Sequence, residues 1–170
     1  MPSLPVYVWR ELQLAMTLLD ENSSLREVFV VVLSWIRGDY KCFTVEPFST
    51  YRFDEFSHID ENLMPVEFSS FLLSDIAHLK KVIFGCQANE TEAIARFLRD
   101  TLEQLITVEV DRKCPRCLSD GMRIFIGRYN GLLAFQCNVC GHSTYSDSYK
   151  VGSGELEFVN EKKLRELNMI

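Results

Sequence analysis

The sequence lacks any apolar run that reaches the roughly 20 residues of a membrane-spanning helix. Its longest, VFVVVLSWI, is confined to Val28 to Ile36. The amino terminus, MPSLPVYVWRELQ, has no basic region followed by an apolar one, the order of a secretory leader. A Gly-rich phosphate loop, H-E-x-x-H and G-x-S-x-G are all missing, and the three histidines, His58, His78 and His142, are scattered. Internal repeats and low-complexity tracts are absent too, and no Gly/Ser/Pro-rich linker separates Ile106 from Cys114. These absences argue against a membrane protein and against the common nucleotide-binding and hydrolytic motifs. The reading expects a cytoplasmic, non-enzymatic chain.

What is present is ordinary globular material: 170 residues, 47% hydrophobic and 25% charged, enough for one sizeable core or two small ones. The net charge of -6 is unevenly spread. Residues 1–110 hold 9 basic against 17 acidic side chains, a balance of -8, whereas residues 111–150 hold 6 against 3, a balance of +3. An acidic half repels phosphate backbones and attracts basic protein surfaces, chiefly by speeding encounter.

Periodicity divides the chain in two. Val8, Trp9, Leu12, Ala15, Met16 and Leu19 fall at helical spacing, and DENSS interrupts them. Ser24-Leu25-Arg26-Glu27 is a capping box that predicts a second helix carrying Val28, Phe29, Val32, Leu33 and Ile36 and stopping at Gly38, although the β-branched Val30 to Val32 also fit a strand. Periodicity then fails from Asp39 to Pro65, where YKCFTVE reads as one short strand. Helical spacing resumes through Leu72, Ile76 and Leu79, with KVIFG a helix end or a strand, and a longer helix begins at Asn89 and continues through Ile94, Phe97, Leu98, Leu102, Leu105 and Ile106. Beyond Ile106 the period drops to 2: ITVEV, MRIFIGRY, LLAFQC, STYSDSYKV and ELEFVN read as strands, and EKKLRELNMI as a closing helix. Asn130-Gly131 predicts a type I′ hairpin turn between two of them. The fold class is therefore α+β, a mainly helical part at 1–106 followed by an antiparallel sheet at 107–170.

Four of the six cysteines stand in two Cys-x-x-Cys pairs, Cys114 with Cys117 and Cys137 with Cys140, nineteen residues apart. Each pair sets two sulfur ligands on one tight turn, and the hairpin between them brings the turns together. An iron centre and an isolated redox pair are the competing uses. Cys42 and Cys86 stand alone among apolar neighbours, as inert buried thiols do. The residues Cys114, Pro115, Cys117, Cys137, Cys140 and Gly141, with alternating strands between the pairs, resemble the zinc ribbon superfamily. That resemblance implies a structural zinc held by four thiolates, and such a site is closed to substrate. Ribbons often accompany nucleic-acid machinery, which makes Arg116, Arg123 and Arg128, with Arg112, Lys113, Tyr129 and Phe135, a candidate nucleic-acid surface. Solvated faces of a small sheet are the plainer reading of those residues.

The segment 46–68, EPFSTYRFDEFSHIDENLMPVEF, sets six carboxylates and one arginine among Phe48, Tyr51, Phe53, Phe56 and Phe68. Aromatic anchors amid carboxylates suit recognition of a basic protein, which nominates Asp54, Glu55, Phe56, Asp60, Glu61 and Glu67 as partner-binding residues. The alternative is that the rings pin the segment to its own core while the carboxylates face water. His58, among these carboxylates, is also a candidate for a hydrolytic or hard-metal site. In size, charge and the stretch FDEFSHIDEN the chain is similar to the immunity proteins of bacterial toxin and immunity pairs. That similarity implies a non-catalytic inhibitor of a basic nuclease toxin; a zinc-ribbon adaptor that touches nucleic acid is the rival function.

Overall fold

A computed structural model describes residues 3–152 and 154–170. Helices make up its N-terminal part, and an antiparallel sheet in the C-terminal part carries the paired cysteines. The chain forms two compact units, Met1–Asn62 with Phe71–Leu105, and Leu63–Ser70 with Ile106–Ile170. The segment 46–68 is thus divided between them.

The first unit contains α1 (Val6–Met16), α2 (Leu25–Gly38), the single-turn α3 (Asp54–Ser57), α4 (Asp75–Gly85) and α5 (Thr91–Ile106), the last residue of α5 belonging to the second unit. Ser24 caps α2 as its sequence predicts: its hydroxyl accepts from the Glu27 amide at 3.1 Å, and its own amide donates to the Glu27 carboxylate at 2.6 Å. The α2 residues Val28, Phe29, Val32, Leu33, Trp35 and Ile36 are buried, joined by Val8, Trp9, Leu12 and Met16 of α1. Ile76, Leu79 and Ile83 of α4 and Ile94, Leu98 and Leu102 of α5 are buried as well. Both tryptophans satisfy their indole N–H on backbone, Trp9 on Cys86 O at 2.9 Å and Trp35 on Val8 O at 2.7 Å.

Three local expectations are corrected. YKCFTVE forms no strand; Tyr40–Phe43 is a 3₁₀ turn, followed by further turns. Its Phe43 must reach inward to meet Trp35, with ring centroids 4.9 Å apart, and a tight turn allows this. The helix through Leu72 begins later, at Asp75, because the Asp75 carboxylate accepts the Leu72 amide at 2.8 Å and fixes a turn there. Likewise α5 starts at Thr91 rather than Asn89, after Glu90 has accepted the Gln87 amide at 2.6 Å.

In the second unit β1 (Glu109–Lys113), β2 (Asp120–Gly127), β3 (Leu133–Cys137) and β4 (Ser143–Tyr145) lie side by side in that order. A short β5 (Leu156–Glu157) pairs with the far end of β2. Alternation along β2 sends Met122, Ile124 and Ile126 to one face, opposite Cys137, Phe135 and Leu133 of β3. Val108, Val159 and Leu164 complete that core, Leu164 coming from α6 (Glu161–Glu166). Asn160 caps α6 by accepting the Lys163 amide at 2.8 Å.

The β2–β3 turn is a further correction. Gly131 has φ +67, but Asn130 does not share its positive φ, so the turn is not type I′. A four-residue loop is closed by Gly127 N–H to Leu132 O at 2.8 Å, and the Asn130 side chain accepts the Leu132 amide at 3.0 Å.

Candidate metal centre

The two cysteine pairs fold into the same turn, built twice. In the first, the Cys114 amide donates to Ser119 O at 2.9 Å and the Leu118 amide donates back to Cys114 O at 2.9 Å. In the second, the Cys137 amide donates to His142 O at 2.9 Å and the Gly141 amide to Cys137 O at 3.1 Å. The residue after each second cysteine is left-handed, Leu118 at φ +64 and Gly141 at φ +73. In each turn a backbone amide also points at the first sulfur, Arg116 N–H at 3.4 Å from Cys114 Sγ and Val139 N–H at 3.3 Å from Cys137 Sγ. Such amides offset the charge of a thiolate.

Antiparallel pairing then sets turn against turn. Lys113 lies opposite Asp120 and Met122 opposite Cys137, so the end of β1, the start of β2 and the end of β3 meet at one end of the sheet. All four sulfurs come within 4.8 Å of one another, with Cys114 Sγ 3.7 Å from Cys140 Sγ and Cys117 Sγ 3.5 Å from Cys137 Sγ. Four cysteines are therefore positioned to bind a metal ion, and they form the cluster of this kind found among the described residues. A disulfide would need sulfurs about 2 Å apart, and all four are free thiols. Cys114 and Cys137 are buried and belong to the same apolar cluster as Val108, Met122, Ile124, Phe135 and Leu164. Cys117 and Cys140 are exposed.

The electrostatics fit a cation. Hydrogen bonds from the Ser119 side chain and amide bring the Cys117 thiol down to about 6. The His142 amide favours the Cys140 thiolate, but burial and the three neighbouring sulfurs outweigh it and push that thiol up to about 11. Four negative sulfurs at this separation repel, so they ionise together only around a positive ion. His142 contributes its carbonyl to the second turn.

The remaining sequence-nominated residues are dispersed. Phe56 is fully buried, stacked edge to face on Phe53 at 5.9 Å, with the Arg99 guanidinium 4.9 Å from its ring centroid. It lies inside the first unit and presents no surface to a partner. Glu55 is mostly buried, paired with Arg52 at 2.8 Å and Arg99 at 3.7 Å. Glu61 accepts from Arg37 at 2.6 Å, which holds its carboxyl below the usual carboxylate range. Asp60 accepts the Asn62 amide at 2.9 Å, and Asp60, Asp54 and Glu67 are exposed. His58 is exposed and is not part of the cysteine cluster.

Among the basic candidates, Arg116 sits on the first cysteine turn and Arg128 beyond the opposite end of β2; both are exposed, and Arg123 between them is half-buried. Phe135 is buried, with the Arg112 guanidinium 4.2 Å from its ring centroid, so it offers no face for base stacking. Two features escaped the sequence reading. Arg99 draws the segment 51–56 onto α5 by donating to the carbonyls of Tyr51 and Arg52 at 3.1 and 3.2 Å. Its place in the helical pattern of α5, isolated among Ala95, Leu98 and Leu102, was the one available signal. Leu118 in a left-handed conformation has no signal except symmetry with Gly141.

Comparison of the chain with protein-family models, with curated proteins and with solved structures finds no match in any of the three.

Proposed function

We propose that the protein is a non-catalytic binding protein, stabilised by a structural zinc at Cys114, Cys117, Cys137 and Cys140, that neutralises a basic protein in the manner of an immunity protein. Zinc is favoured by the all-sulfur donor set and by spacing. Zinc–sulfur bonds of about 2.3 Å in a tetrahedron put sulfurs about 3.8 Å apart, against 3.5 and 3.7 Å for the two shortest pairs here. When bound, zinc supplies cross-linking of the two turns rather than chemistry, because four protein ligands leave no position for water. Cys114 and Cys137 tie that cross-link into the apolar core, and hydrogen bonds from Ser119 favour the charged form of Cys117.

The observation that carries the binding reading is how segment 46–62 folds in the first unit. Phe48, Phe53 and Phe56 turn inward, while Glu46, Asp54 and Asp60 face water on a stretch of chain whose balance is -8 over residues 1–110. Exposed carboxylates on so acidic a part of the chain attract a positively charged cleft, the kind a nuclease presents to its substrate, and repel nucleic acid itself. Recognition then rests on the carboxylates and not on the rings. A nucleic-acid role draws less support, since the exposed Arg116 and Arg128 sit at opposite ends of β2 and Phe135 is covered.

The test is capture of partners at low salt by the full chain and by two charge-reversed forms. The expected result is a basic nuclease whose activity the chain suppresses, lost with Asp54→Lys plus Asp60→Lys and kept with Arg116→Glu plus Arg128→Glu. Recovery of nucleic acid, abolished by the arginine reversals alone, would overturn the reading.

A further inference from the structure

Metal binding explains why four thiolates gather, but not why their exposure alternates. The second cysteine of each turn, Cys117 and Cys140, is exposed, and the first, Cys114 and Cys137, is buried at 0% and 3%. The sulfur of each exposed cysteine has the sulfur of a buried cysteine of the opposite turn beside it, Cys137 at 3.5 Å from Cys117 and Cys114 at 3.7 Å from Cys140. An exposed cysteine whose sulfur lies beside that of a buried one is the arrangement of a peroxide-reactive cysteine with its resolving partner.

We propose that Cys117 and Cys140 are sites of oxidation by hydrogen peroxide, resolving across the turns into Cys117–Cys137 and Cys114–Cys140 disulfides. The inference rests on the zinc-thiolate reading given above, because metal binding is what keeps all four sulfurs deprotonated. In the first step Cys117 Sγ attacks an oxygen of hydrogen peroxide. The O–O bond breaks, hydroxide leaves, and the sulfur is oxidised by two electrons to a sulfenic acid. In the second step Cys137 Sγ attacks the Cys117 sulfur, the S–S bond forms, the S–O bond breaks and a second hydroxide leaves. Cys140 and Cys114 repeat the sequence with another hydrogen peroxide. Two peroxides and four thiolates thus give two disulfides and four hydroxides, and no thiolate remains to hold the ion.

The crossing has a structural consequence. Disulfides between residues 20 and 26 positions apart bracket the β2–β3 hairpin and take over the cross-link that the metal made. A bridge within one Cys-x-x-Cys turn leaves the two turns untied. Crossed oxidation therefore releases zinc while the sheet stays closed.

The full-length chain is purified under reducing conditions, its zinc is measured, and hydrogen peroxide is added. Zinc release is followed with a chromogenic chelator, disulfides are mapped by non-reducing peptide mass spectrometry, and the product is melted beside chelator-stripped, reduced protein. The expected result is release of zinc, peptides joined through Cys117–Cys137 and Cys114–Cys140, and a melting temperature above that of the stripped, reduced chain. Peptides joined through Cys114–Cys117 or Cys137–Cys140, or zinc retained while thiols are over-oxidised, would overturn it. If the purified chain carries no zinc, the metal reading fails by itself. The disulfide map of the same peroxide-treated chain then still decides whether the pairing is crossed.

Discussion

Leu118 occupies backbone that a leucine adopts at a cost. Its φ of +64 matches the +73 of Gly141 in the twin turn, yet its side chain is 66% exposed, so little burial offsets the strain. A side chain in the left-handed region costs about 1–2 kcal/mol per residue, and glycine avoids that cost while losing more chain entropy on folding. Leu118→Gly is therefore expected to stabilise the metal-free protein by up to about 1 kcal/mol. Gly141→Ala, where an added Cβ meets nothing within 4 Å, should destabilise by about 1 kcal/mol from conformation alone. Denaturant titration of both variants checks the pair; opposite signs are predicted, and equal losses would refute the twin-turn account. The clustering of the four cysteines was legible in the sequence because their spacing is itself the geometry. Leu118 was not, since nothing in a leucine announces positive φ.

Between residues 39 and 68 the elements are too short for a period to show. Tyr40–Phe43 and Val66–Phe68 are 3₁₀ turns and α3 is a single turn. What orders the stretch is a chain of rings, Phe43 to Phe48 at 4.9 Å, Phe48 to Phe53 at 5.0 Å and Phe53 to Phe56 at 5.9 Å, fastened by Arg99 from α5. That arginine lies 43 positions after Phe56, beyond the reach of any local pattern. The helices and strands with clear caps or alternation, α2 and β2 foremost, were legible for the opposite reason: their determinants are neighbours in sequence. At this scale the inward rings and outward carboxylates have separate consequences. Phe53→Ala should cost about 3–5 kcal/mol in urea denaturation, whereas Asp54→Lys should stay within about 0.5 kcal/mol and weaken only partner binding. Comparable losses from both would place Asp54 in the fold rather than on the binding face.

The whole molecule joins an acidic helical unit to a small sheet whose core includes two of the four clustered cysteines. The charge partition was plain from the sequence, but the sharing of Leu63–Ser70 with the sheet unit was not. It depends on distant contacts, the Glu161 amide donating to Leu63 O at 2.8 Å and the Arg165 guanidinium 5.2 Å from the Phe68 ring centroid. A sheet of this size gains much of its folding free energy from a structural metal. The central claim is thus that zinc at the four cysteines holds the C-terminal unit together. The most direct test is elemental analysis of the purified protein and of Cys117→Ser, each followed by a thermal melt. The account predicts stoichiometric zinc in the parent chain, its loss in the variant, and a strongly lowered melting temperature that chelation of the parent reproduces. A parent chain without metal, or a variant that melts with it, would contradict the claim.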